Sequence, residues 1–430
     1  MFSSEEVARL FDAETRDAIA SGLCVRCRGA KLLCGKARCP ILVKYDFMKR
    51  TEPLIDTTEL DGSSPPGVFV GRFGYPKVFV GPLIPPVHGD TEILDTPEQW
   101  MGRTIDEIVG FRSQLVRGMH RVHVLNVENG GRIVDLTREL SLATTATDVE
   151  AEFARKPRGR LALDDNVQPF GPSAPLTGFE MAGYRVDARF DRAHADTDLT
   201  ARNAVLSLYR DGLAVSRIQR AFSAGAFGIR KQRRFVPTRW SITAVDDTIG
   251  KALRERVKTF PLTNEVRVHE SEGFDDRFVV LLIPRPWRYE LIEAWYPNTL
   301  WNPLGRDIVM FGDHEGVDGR SDYASIGGCY YAARLAVGEA LERERRQAAV
   351  VVLRETHPGY IMPVGVWNVR ENVRNALRHP PLRFPSVQEA LRHIGSRLAI
   401  PVPRWLRMSS VLRDVLHQRV LDDYRRGDER

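Results

Sequence analysis

VFVGRFGYPKVFVGPLIPP, residues 68–86, decides the fold class. Two apolar stretches rich in valine and phenylalanine, 68–72 and 77–86, stand only four residues apart, and those four include Gly74 and Pro76. β-Branched and aromatic residues suit a pleated strand, and Gly and Pro suit a tight reversal, so the segment predicts a β-hairpin. Its turn carries Tyr75 and is preceded by Arg72.

Outward from the hairpin, TIDEIVGFRSQLVRG (104–118) has Ile105, Ile108, Val109 and Leu115 near helical spacing, and the following HRVHVLNV predicts a strand. Two helices joined at Asp211-Gly212 are expected between 199 and 227. NEVRVHESEGFDDRFVVLLIP (264–284) predicts a second hairpin, with SEGFDD as its turn. Beyond it RYELIEAWY and DIVMF read as strands, 330–346 as a helix, AAVVVLRE as a strand and the remainder as helices. DGSSPPG at 61–67 reads as a linker or ordered loop, and 145–198 as polar and loop-prone.

The fold class that follows is α+β and multi-domain, with a small N-terminal zinc-binding lobe attached to a mixed α/β body. The expected divisions are 1–50 for an N-terminal helix and C4 zinc finger, 51–285 for an α+β body, 286–405 for a C-terminal α/β unit, and 406–430 for a terminal helix or tail.

Of the 430 residues, 43% are hydrophobic and 27% charged, which excludes disorder as the dominant state. No apolar run approaches the roughly 18–20 residues of a membrane span. The start, MFSSEEVARLFDAETRDAIA, is acidic and amphipathic where a secretory signal would be basic and then apolar, so a cytoplasmic protein is expected. Lys plus Arg number 62 against 56 Asp plus Glu, a net charge of +6, and so modest an excess matters only where it is concentrated.

Four of the five cysteines, Cys24, Cys27, Cys34 and Cys39, fall in GLCVRCRGAKLLCGKARCPIL. Each close pair lets a turn direct two thiolates at one point, as a tetrahedral zinc site requires. Gly29 and Gly35 lie just past the second and third thiols, and Arg26, Arg28, Lys31, Lys36 and Arg38 would offset four thiolate charges. A structural Zn²⁺ is the first expectation; an iron–sulfur cluster, disulfides or free thiols are the alternatives. Cys329 stands alone beside Ala332, Leu335, Ala336 and Gly338, and reads as a core residue of a close-packed helix.

Between Asp211 and Asp246 there is no carboxylate, while Arg217, Arg220, Arg230, Lys231, Arg233, Arg234 and Arg239 supply seven positive charges, more than the whole net excess. Interleaved with Phe222, Phe227, Phe235 and Trp240, they could track phosphates while rings stack on exposed bases. The plainer reading is a solvated helix face with core aromatics. The carboxylates Asp187, Asp191, Asp196 and Asp198 beside His194 read as solvated surface ahead of a cation site.

No phosphate-binding G-x-x-x-x-G-K-[ST], dinucleotide G-x-G-x-x-G after a strand, G-x-S-x-G or H-E-x-x-H pattern is present. Asp313, His314 and Glu315 with Asp318, and Glu355, His357 and Tyr360, are the weak catalytic candidates, since carboxylates beside a histidine supply both metal ligands and proton carriers. Each is equally what a strand-to-loop junction looks like.

The blocks LCVRCRGAKLLCGKARCPI, SSPPGVFVGRFGYPKVFVGP, FVPTRWSITAVDDT and HPGYIMPVGVWNVRENVRNAL make the chain resemble the archaeal Nre family of DNA repair proteins from about residue 20 to 380. The resemblance implies an archaeal intracellular protein with an N-terminal C4-type zinc finger, acting in the DNA-damage response; it brings no catalytic motif. In one branch of the family a C-terminal motif binds PCNA, the replication sliding clamp. That motif places Gln418, Leu421 and Tyr424 at its glutamine, aliphatic and first aromatic positions, with Arg425 departing from the second aromatic. The same stretch, Val411, Leu412, Val415, Leu416, Val420 and Tyr424, also approximates one face of a helix that packs on the body.

Three functional expectations follow. One is a zinc-containing DNA repair protein that binds nucleic acid through a basic surface and is recruited by the clamp. Another is a metal-dependent enzyme acting on nucleotides or nucleic-acid ends, with the acids and histidines gathered beside Arg72, Gly74, Tyr75 and Pro76. The third is a repair adaptor without direct DNA contact.

Overall fold

A computed structural model describes residues 26–159, 170–299, 301–302 and 305–417. The chain divides into two compact units, Met1–Ile249 with Ile361–Trp367, and Gly250–Tyr360 with Asn368–Arg430.

In the first unit, α1 (Pro40–Thr51) begins directly after Cys39, with Pro40 at the first helical position, where its missing N–H costs nothing. Six strands follow: β1 (Glu59–Ser64), β2 (Val68–Val70), β3 (Lys77–Ile84), β4 (Val116–His123), β5 (Thr147–Phe153) and β6 (Ser173–Ala182). They form one mixed sheet in the order β1-β5-β6-β4-β3-β2, in which only β4 and β6 run parallel. The hairpin expected at 68–86 is β2 and β3, with Phe69 opposite Gly81 and Val70 opposite Val80. α2 (Ile105–Gln114) opens with a reciprocal cap between Thr104 and Glu107. It stops short of the expected 118 because 116 onward pairs with β3 as β4. α3 (Arg132–Leu142) packs its Val134 with Val70, Val78, Val80, Val122, Val124 and Phe235.

Two loop expectations are corrected here. Residues 61–64 belong to β1, and 145–198 contains β5, β6 and α4 (Ala188–Ala195). In β5 the residues Thr147, Val149, Ala151 and Phe153 point inward while Asp148, Glu150 and Glu152 stay exposed. A strand whose outer face is carboxylate looks polar by composition and shows itself only through its period of two. Three helices complete the unit: α5 (Ala201–Arg210), α6 (Val215–Ser223) and the start of α7 (Thr238–Val257), within which the division between units falls.

The second unit is a six-stranded sheet of β7 (Val266–Gly273), β8 (Asp276–Ile283), β9 (Arg288–Trp295), β10 (Val309–Glu315), β11 (Ala349–Thr356) and β12 (Leu382–Phe384), ordered β10-β9-β11-β8-β7-β12. Its central strands β8, β9 and β11 are buried along almost their whole length because both faces are covered. Phe278, Val280 and Leu282 of β8 pack with α8 (Gly328–Glu344) and α9 (Trp367–Arg378). Val279, Leu281 and Ile283 pack with α10 (Val387–Arg397), α11 (Val402–Met408) and α12 (Ser410–His417). Each such side chain contributes on the order of 1.5–3 kcal/mol of burial. The β7–β8 hairpin turns on Phe274 and Asp275, both with positive φ, as a two-residue turn requires.

The border expected at 285 falls inside this sheet, since β8 pairs with β11 along its full length. The stretch expected from 406 as a terminal helix or tail begins within α11 and is helical through α12, which packs on the core. Among the described residues no helix is long and apolar enough to cross a membrane.

Candidate nucleic-acid interface

The basic window splits into two groups. Arg217, on α6, spends its guanidinium on the carbonyls of Ala143 and Thr144 at the C-terminal end of α3, and burial pushes its pKa down to about 10. Arg220 is buried against Asp95 at 2.6 Å. Arg233 is buried, donating to the carbonyls of Gly228 and His194 at 2.9 and 2.6 Å. These three are internal fasteners and leave no charge for a partner.

Arg230, Lys231, Arg234 and Arg239 remain exposed. Arg230 lies 3.6 Å from Glu128, which also faces Arg233; among the described residues no carboxylate pairs with Lys231, Arg234 or Arg239. A single 3₁₀ turn at Arg230–Gln232, the loop after it and the first turn of α7 carry them, and this stretch is pinned from within. Phe235 is buried in the first unit's core and its N–H donates to the Val124 carbonyl, while the Thr238 hydroxyl accepts from the N–H of Val70 in β2. Phe222 and Phe227 pack on one another, and Phe227 is buried, so of the window's aromatics Trp240 is the one left exposed.

That anchoring brings Trp240 to the β2–β3 turn, where its ring centre lies 5.3 Å from that of Tyr75. Phe73, Tyr75 and Trp240 are 74%, 49% and 46% exposed. Arg72 holds its guanidinium 5.0 Å from the Phe73 ring centre. β4 adds Arg121, which is exposed and whose guanidinium approaches Gly74 of the turn. Phe73, Lys77 and Arg121 are absent from the residues singled out by sequence reading, because the basic window was read as a linear stretch and these join it only through sheet pairing.

Of the four clustered cysteines, Cys24 lies outside the described residues. Cys27 is buried, and its Sγ accepts from the Leu33 N–H at 3.4 Å. This backbone hydrogen bond, assisted by those of Gly29, Lys31 and Leu32, holds its thiol below the ordinary value. Gly29 and Gly35 both have φ of +72°, the left-handed conformation expected after ligand thiols. A thiolate ringed by backbone donors with glycine-turned loops suits a metal knuckle chemically. Among the described residues no three histidine, cysteine or carboxylate groups gather as a metal set.

The catalytic candidates do not gather. Asp313 pairs with Arg320 and accepts from the Ser325 N–H, and buried Glu315 pairs with Arg334 at 2.8 Å. Glu355 is buried and accepts from the N–H groups of Ala399 and Ile400, with His357 3.3 Å away and stacked on Tyr296. Through β9, Glu315 is level with Val350 of β11, five residues from Glu355. At 3.3 Å per residue that is about 16 Å along the strands. His314 and Asp318 are exposed. The Asp187 group is spent on capping: Asp187 caps α4 and Asp196 accepts from the N–H groups of Asp198 and Leu199. Cys329 is partly buried against the core that includes Tyr330 and Ala333, which pushes its thiol up.

Gln418, Leu421 and Tyr424 lie outside the described residues. Just before them, Val411 and Leu412 of α12 are buried in the second unit's core with Val415 and Leu416 packed alongside.

The chain is thus a two-unit mixed α/β protein with an exposed basic, aromatic face on its first unit. Its sequence matches the family model described as "Archaeal Nre, N-terminal" over residues 33–302 and that described as "Archaeal Nre, C-terminal" over 315–424. It is 40% identical over 392 residues to "DNA repair protein NreB" of Archaeoglobus fulgidus, covering 91% of this chain and 97% of that one. It is 38% identical to "DNA repair protein NreA" of the same organism, over 87% of this chain and 93% of the relative, and 34% identical to "DNA repair protein NreA" of Haloferax volcanii, over 85% and 89%. The chain belongs to the archaeal Nre family. No solved structure matches it.

Proposed function

We propose that the chain acts in DNA repair by binding nucleic acid through the exposed part of the first unit's basic segment, Arg230, Lys231, Arg234, Arg239 and Trp240. The observation that carries this reading is the exposure of these cations beside Trp240; among the described residues only Glu128 comes within ion-pair distance of any of them. Phosphates would replace the missing counter-charges, and the relatives' names supply the repair context. Fluorescence anisotropy of labelled DNA tests it: reversing Arg230, Lys231, Arg234 and Arg239 to Glu abolishes binding at moderate salt. Unchanged affinity would contradict it, and a wild-type chain without affinity even at low salt would make it the adaptor.

Two further assignments belong to this reading. Cys24, Cys27, Cys34 and Cys39 hold one structural Zn²⁺, which folds the N-terminal lobe and, with four protein ligands, leaves no open coordination position. Gln418, Leu421 and Tyr424 engage the sliding clamp PCNA, tethered immediately after α12. No catalytic step is proposed on Asp313, Glu315 or Glu355, because each is committed to the pairs described above.

A further inference from the structure

We infer that the β2–β3 turn and the start of α7 form a stacking platform for unpaired bases, so that the first unit selects single-stranded over double-stranded DNA. This rests on the nucleic-acid reading and adds the substrate's form.

Three sequence-remote stretches meet at this place, and all three lack carboxylates: 62–89, 108–127 and 212–245. The first supplies the turn with Arg72, Phe73, Tyr75 and Lys77; the second supplies Arg121 on β4; the third supplies Arg239 and Trp240. Printed contacts join them. Lys77 pairs in register with His123, the Val124 N–H donates to the Pro76 carbonyl at 2.9 Å, and the Tyr75 and Trp240 rings adjoin at an interplanar angle of 51°. Among the described residues Arg72, Lys77, Arg121 and Arg239 have no carboxylate partner.

Three exposed or half-exposed rings gathered beside cations that pair with no carboxylate mark an interaction surface. The partner that fits both features is anionic and presents flat apolar faces. A duplex offers the charge but keeps its base faces inside the stack, whereas a single strand offers both. Arg72 beside Phe73 places a phosphate-binding charge at the rim of a stacking face. An acidic peptide would satisfy the charge without needing three rings.

Equilibrium binding of the full chain to a labelled oligothymidine of about twelve nucleotides and to a blunt duplex tests the inference, twelve lying within the span of such sites. Phe73→Ala and Tyr75→Ala each weaken single-strand binding about tenfold and leave duplex binding and the salt slope unchanged, and Trp240→Ala weakens single-strand binding by at least as much. Trp240→Phe, which keeps a ring, retains most of the affinity. Should an alanine variant fail to fold by thermal melting, Trp240→Phe and the exposed Phe73→Ala decide the matter. Equal losses on both DNAs, or none on either, overturn the platform while leaving the charge-based reading intact. Binding of a poly-glutamate peptide in place of either DNA overturns both.

Discussion

Arg217 and Arg230 belong to the same carboxylate-free stretch and end in opposite environments. Arg217 sits on a helix whose other residues are core, so its guanidinium is drawn inside and finds the orphan carbonyls that every helix end leaves. Arg230 opens a single exposed 3₁₀ turn, with Glu128 3.6 Å away. Replacing Arg217 with Ala strips the carbonyl of buried Ala143 and that of half-buried Thr144 of their donor, so urea unfolding shows a loss of about 1–3 kcal/mol. The folded variant keeps its DNA affinity. Charge density along a sequence therefore locates a basic segment without separating fasteners from contacts; that separation depends on which helix face meets the core. The same limit hid Phe73, which joins the site at the β2–β3 turn, and Arg121, which joins it through the β3–β4 register.

Among elements, those with a strong period or a clear turn were legible. The β2–β3 hairpin, the second hairpin, α8 and β11 lie within a few residues of where apolar pattern and turn chemistry place them. β1 and β5 were not, because Asp61, Ser63 and Ser64 or Asp148, Glu150 and Glu152 gave their segments a loop's composition. The end of the chain shows how a single side chain positions an element. Glu290, buried on β9, accepts from the Ser409 hydroxyl and from the N–H groups of Ser410 and Val411 at the start of α12. Glu290→Ala leaves these donors unmet and loosens α12, and calorimetry shows a loss of about 2–3 kcal/mol with DNA binding unaltered. At the other end, metal analysis of purified protein is the check on the proposed knuckle: it should find one equivalent of zinc, and Cys27→Ser should lower it. Less than about half an equivalent in the intact chain would count against the knuckle.

At the scale of the molecule, each unit has its own sheet and core, and the cluster that joins exposed cations to Phe73, Tyr75 and Trp240 lies on the first. The division at 249 rather than 285 was hidden because a hairpin declares its two strands but not the sheet they join; β8 finds β11 only through the intervening β9 and α8. Recruitment would come from the other end of the chain. Titration of the full chain into the sliding clamp should release heat that Tyr424→Ala removes; an unchanged signal would sink the motif. The central claim concerns the first unit, and the salt dependence of DNA affinity tests it most directly. Each phosphate contact contributes about 0.7 to the log–log slope on a single strand and about 0.9 on a duplex. Reversal of Arg230, Lys231, Arg234 and Arg239 should flatten that slope by about 2–3 on a single strand. An unchanged slope in a folded variant would contradict the account.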